Sequence, residues 1–152
     1  MNATGFQGAQ PQDFRYASKT STSPLTTGTL FTFTGGIEIL RITGLVTTVI
    51  QGQATTVKLS ITPDAQTPVD ICATKDINAF AAGSLLQITG TVANAMVGTT
   101  AVAVTGPGTQ VNAITAMCVT SGTITVTYGA ASTGAIRWDI VWRPLTAGAT
   151  LV

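Results

Sequence analysis

Ile136-Arg137-Trp138-Asp139-Ile140-Val141-Trp142-Arg143-Pro144 is the stretch that decides the fold class. Ile136, Trp138, Ile140 and Trp142 fall on one face of an extended chain. Arg137, Asp139, Val141 and Arg143 fall on the other. Successive side chains of a strand point to opposite sides, so this period of two marks a half-buried β-strand. Pro144 stops it, because proline has no N–H to give to a sheet ladder.

Working back from this strand, the same signature recurs. Ile124, Val126 and Tyr128 alternate with Thr123, Thr125 and Thr127. Ser121-Gly122 ahead of them suggests a hairpin turn after a strand over Val111–Thr120. Val57, Leu59 and Ile61 alternate with Lys58, Ser60 and Thr62, and Pro63-Asp64 ends that run. Ile37–Ile50 is a long β-rich segment in which Gly44 suggests a bulge or bend. Leu30, Phe31 and Phe33 sit among threonines just before the Gly35-Gly36 turn. Shorter strand candidates are Val69–Ala73, Leu85–Val92 and Thr99–Val104, the last closed by Gly106-Pro107-Gly108. Lys75–Ser84 is the one place where a short helical turn fits. The sum is an all-β domain, an antiparallel sandwich or barrel, jelly-roll-like, of about eight or nine strands over residues 29–152. Residues 1–28 show no period and read as an extended N-terminal arm, either ordered against a neighbour or a plain disordered terminus.

The chain has 152 residues, enough for one domain with a core of its own. Charged residues make up only 9%, against roughly 25% in ordinary domains. The net charge is +1, and the seven cations are scattered. A nucleic-acid partner is therefore not expected, since it requires grouped Lys and Arg. Between Asp76 and Arg137 there is no Asp, Glu, Lys or Arg. Either this stretch meets another protein, or its Thr, Asn, Gln and Ser solvate it. It holds no apolar run long enough for a membrane helix, and no membrane partner is expected. The first residues lack the basic and apolar regions of a signal peptide, so synthesis in the cytoplasm without export is expected.

Chemistry is sparse. There is no histidine, which removes the commonest general base, every His-dependent triad and most zinc sites. The six carboxylates are dispersed. Asp70 and Asp76 are the candidate pair for facing carboxylates, and they read as solvated strand-end residues. No phosphate loop or EF-hand pattern is present. No catalytic, cofactor-binding or metal-binding residue is assigned, and no cofactor and no enzymatic activity are expected. Cys72 and Cys118 both lie in apolar segments and read as small buried hydrophobes. Trp138 and Trp142 invite sugar stacking, but they share the expected core face with Ile136 and Ile140.

Two segments resemble virion structural proteins of tailed bacteriophages. One runs from Gly35-Gly36-Ile37 to Gly90 and includes Gly44–Gln51, Thr55–Leu59 and Asp70–Ile77. The other runs from Gly134-Ala135-Ile136-Arg137-Trp138 to Trp142-Arg143-Pro144-Leu145. The resemblance implies a capsid-decorating (auxiliary) role or a tail-associated one, and it brings no catalytic residue. The first expectation is a head decoration protein in the virion, a homo-oligomer with a trimer favoured, bound to the phage major capsid protein. A tail-tube, neck or baseplate protein is the second. A carbohydrate-binding surface module is the third.

Overall fold

The computed structural model describes residues 13–88, 96–99 and 116–152. Among them the chain forms twelve strands and no helix. Six are long: β1 (Arg15–Ser21), β2 (Gly28–Thr34), β3 (Ile37–Thr48), β4 (Thr56–Pro63), β10 (Gly122–Tyr128) and β11 (Ala135–Pro144). The others span two or three residues: β5 (Val69–Asp70), β6 (Lys75–Asp76), β7 (Leu85–Gln87), β8 (Val97–Thr99), β9 (Met117–Val119) and β12 (Thr150–Leu151). These short pieces are why the count exceeds the eight or nine expected from periodicity, which needs several alternations to register. Lys75–Ser84 holds β6 and turns rather than a helical turn.

Two antiparallel sheets result. Sheet A runs β1-β11-β3-β7-β8, with β9 also on β3; sheet B runs β12-β2-β10-β4-β5, with β6 also on β4. From β1 to β4 and from β9 to β12, consecutive strands alternate between the sheets. This winding, β1-β11-β3-β7 over β2-β10-β4-β5, is the jelly-roll order; the antiparallel sandwich was expected from the sequence, the strand order was not. Its ladders join residues far apart in the chain, as in Tyr16 with Val141 and Gly122 with Phe33.

The core lies between the sheets. Trp138, Ile39, Ile42 and Val46 from sheet A face Phe31, Phe33, Leu59 and Ile124 from sheet B, all fully buried. Thr, Val and Ile are frequent in these strands because a branched Cβ packs well on a pleated surface. At Ile124/Thr125 the β10–β2 register slips by one residue. This bulge lets the successive Leu30 and Phe31 both turn inward. Trp138 Nε1 donates to Tyr128 Oη at 3.4 Å, a polar link between the two sheets inside the core.

Four expectations are corrected. First, Arg15–Ser21 is not part of a free arm: all seven residues pair with β11. Residues 1–12 of the expected arm lie outside the described residues. Second, Gly44 is in regular register; the β3–β11 irregularities fall at Ala135/Ile136 and Val141/Trp142. Third, Ser121-Gly122 is not a hairpin turn. β9 belongs to sheet A and β10 to sheet B, so the chain crosses the sandwich there. Gly122 is needed because its Cα lies against the Thr62–Pro63 backbone of β4, where a Cβ would collide. Fourth, Cys118 is exposed, opposite Glu38 in the ladder. Cys72 is buried as expected, and both are free thiols. Residues 100–104 of the strand candidate Thr99–Val104, the Gly106-Pro107-Gly108 turn and the first half of Val111–Thr120 lie outside the described residues; Thr99 ends β8 and the second half of Val111–Thr120 holds β9.

Candidate functional site

The charged side chains sit on or beside the sheets, and most are engaged. Lys58 bridges Asp70 at 2.8 Å from β4 to β5. Arg143 and Glu38 pair across β11 and β3. Arg15 bridges Asp13 at 2.8 Å and lies 5.3 Å over the Trp142 ring. Asp76 accepts the Asn78 N–H in a local turn. Asp70 and Asp76 pair with Ser60 and Thr56 of β4, four residues apart and so roughly 13 Å along the strand. A pair of carboxylates set to share a proton or flank a scissile bond needs closer approach. Among the described residues no three His, Cys, Asp or Glu side chains gather into a metal site.

Asp139 is the most elaborate polar point. It projects from the outer face of β11. Partial burial works against its charge, but Tyr16 Oη at 2.5 Å, Ser18 and Arg137 hydrogen-bond it and hold its pKa below the ordinary carboxylate value. All four side chains lie on one face because Tyr16, Ser18 and Thr20 of β1 align with Val141, Asp139 and Arg137 of β11. The cluster ties the edge strand to the sheet. A carboxylate held ionised by three donors is a poor proton acceptor, so the cluster positions rather than catalyses.

Trp138 and Trp142 are 0% and 3% exposed. That burial confirms the core reading and removes both rings as a stacking platform for sugar. The Trp142 indole N–H has no hydrogen-bond partner among the described residues. A cleft of about 330 Å³ opens where β1 hands over to β2, lined by Lys19, Ser21, Thr22, Thr26, Thr29 and Leu30 among others. It offers hydroxyls and one ammonium, and no carboxylate.

The outer face of sheet B is dominated by threonine. β10 presents Thr123, Thr125 and Thr127 between Ser60 and Thr62 of β4 and Thr29 and Thr32 of β2. Thr34 and Thr150 extend the row and hydrogen-bond each other at 2.7 Å. Among the described residues the charges on the ladders of sheet B are the Lys58–Asp70 pair and, on β6, Lys75 and Asp76. The inner residues of the same strands, Ile124, Val126, Leu59 and Phe31, are all core. Sequence reasoning found the neutral stretch but not this array, because it assembles from four strands that only the fold aligns. Residues 89–95 and 100–115 of that neutral stretch lie outside the described residues.

No protein-family model matches this chain, and no curated protein does. Among solved structures it is similar to a chain in the structure of the infectious bursal disease virus Gx strain, at 10% identity and a TM-score of 0.31. The alignment covers 99% of this chain and 43% of that one. A likeness this loose says nothing of function.

Proposed function

We propose that the protein is a non-enzymatic structural component of a virion, acting as a head decoration (auxiliary) protein of a tailed bacteriophage. In this reading it is made in the host cytoplasm and assembles as a homo-oligomer, with a trimer favoured. It binds the major capsid protein lattice and stabilises it. The observation that carries the reading is the threonine face of sheet B. Interface cores are depleted in charge, because burying an unpaired charge is costly, whereas hydroxyls can be hydrogen-bonded across a contact. A jelly roll also suits the role, since viral capsid domains use it; lectins do too, so this support is by analogy of fold. The resemblance of Gly35–Gly90 and Gly134–Leu145 to phage virion proteins supports a phage particle, with the head as the first of the two roles it implies and the tail as the second.

The mechanism is mass action. A ligand that binds the assembled shell and not its dissociated parts stabilises the shell, by about 2.7 kcal/mol when its concentration is a hundred times its Kd. The test uses purified chain and phage shells stripped of auxiliary protein. Light scattering is expected to show an oligomer, and co-sedimentation to show saturable binding to shells. Thr125→Lys sets a charge at the centre of the sheet B face. It is expected to leave the β spectrum unchanged and to weaken the oligomer, its shell binding, or both. A wild-type chain that neither associates nor binds shells would overturn the reading. So would a Thr125→Lys variant that does both as well as wild type. Stacked rings under negative stain would move the protein to the tail.

A further inference from the structure

Sheet A is left open at β1. This strand pairs with β11 from Arg15 to Ser21 without a bulge and is terminal in the strand order. Among the described residues no strand pairs with its other side. Among the described residues the other sheet ends are blunt: β8 has three residues, and β12 and β5 have two each. A long, regular edge presents a row of unpaired N–H and C=O groups and is a template for another strand. Proteins guard such edges with proline, bulges, shortness or charge. β1, Arg-Tyr-Ala-Ser-Lys-Thr-Ser, has neither proline nor glycine. Its Arg15 is turned back onto its own molecule, against Asp13 and the Trp142 ring. Lys19 remains as the one guard.

The geometry points to β1 as the docking strand for β1 of a second copy, antiparallel about a two-fold axis through Ser18, so that two sheets A become one continuous sheet. A two-fold contact must be self-complementary, and the side chains select the register. Residues facing each other across an antiparallel pair lie on the same face, so the axis must pass through a residue. Through Ala17 it sets Arg15 against Lys19 of the second copy. Through Lys19 it sets two lysines together. Through Tyr16 or Thr20 it leaves much of the strand unpaired. Through Ser18 it pairs all seven residues, with Arg15 opposite Ser21, Tyr16 opposite Thr20 and Lys19 opposite Ala17. No like charges are directly opposed, and each Tyr16 gains a β-branched neighbour, a favourable cross-strand pair. The contact leaves the sheet B face available to close a larger ring, and it does not depend on the virion reading.

The test is disulfide trapping in a C118S background, which removes the exposed native thiol. Opposed Cβ atoms in such a pair lie about 4.5–5.5 Å apart, close to disulfide reach. S18C is expected to give a covalent dimer under mild oxidation. T20C is expected to stay uncrosslinked, because its counterpart lies four residues away along the ladder, roughly 13 Å. S18K sets two ammonium groups across the axis and is expected to weaken dimerisation several-fold in sedimentation, with the β spectrum retained. Equal cross-linking of S18C and T20C overturns the inference, as does an S18K variant that associates as tightly as wild type. A monomeric wild type overturns it too, while shell binding remains a separate readout, so the two readings fail separately.

Discussion

Gly44 of β3 stands directly opposite Trp138 of β11, and the indole occupies the space a side chain at Gly44 would need: a Cβ there would lie 2.8 Å from Cζ3. The largest fully buried side chain of the core thus depends on the absence of one across the ladder. Gly44→Ala is expected to destabilise the fold by about 1–3 kcal/mol through overpacking. Trp138→Ala is expected to cost about 3–5 kcal/mol through the cavity it leaves. The double variant should lose less than the sum, because each change relieves the other. Urea titrations of all three decide this, and strict additivity would count against the packing account.

Deleting residues 1–24 is expected to lower the unfolding midpoint, because it removes β1 and its ladder with β11. It also removes Arg15 from over Trp142 and Tyr16 from Asp139. Leu25, fully buried and bonded to Ser132 through its N–H, is retained. Tryptophan emission should therefore shift to the red in the folded truncated protein. A midpoint and an emission equal to those of the full chain would mean that β1 contributes nothing to the sandwich.

Asp139 makes stability depend on acid. Its pKa is lower in the folded state than in the unfolded chain, so the stability it contributes is present above the unfolded value, near 3.8. That stability is lost as pH falls through the folded value, which lies below. Tyr16→Phe removes the 2.5 Å donor and is expected to raise the Asp139 pKa, moving the loss to higher pH. A carbon-detected NMR titration of the carboxylate reads this directly; an unmoved titration in Tyr16→Phe would exclude the hydroxyl as the cause.

The two thiols should react at different rates. Cys118 is exposed, whereas Cys72 is buried beside the Leu59 backbone, and burial pushes its thiol pKa up. A thiol reagent attacks the thiolate. One cysteine is expected to react quickly in the native protein and the second only on unfolding. Cys118→Ser should abolish the fast phase; two fast phases would contradict the burial of Cys72.

The long strands that set a row of side chains into the core were legible, and β1, which does not, was missed. β4, β10 and β11 announce themselves because each sets alternate side chains into the core. β1 has the same backbone geometry but lies at the rim. Its inward residues are Arg15, Ala17, Lys19 and Ser21, of which only Ala17 packs on the core. What holds β1 is its hydrogen-bond ladder and the Tyr16–Asp139 contact, and neither leaves an apolar pattern. Gly44 and Gly122 were misassigned for a related reason. Each is small because of a neighbour from a distant strand, Trp138 in one case and the Thr62–Pro63 backbone in the other.

By itself the sequence determined the all-β class, the inward faces of β4, β10 and β11 and the burial of Trp138 and Trp142, since all of these follow from a period of two within a single segment. It also determined that charge is scarce and histidine absent. Only the tertiary structure decided which sheet each strand joins, that β9 and β10 part rather than pair, and that threonines from β2, β4, β10 and β12 share one outer face. Those outcomes rest on ladders between residues as far apart as Arg15 and Trp142. Such pairings are chosen by how the whole core closes, and no local stretch of chain encodes them.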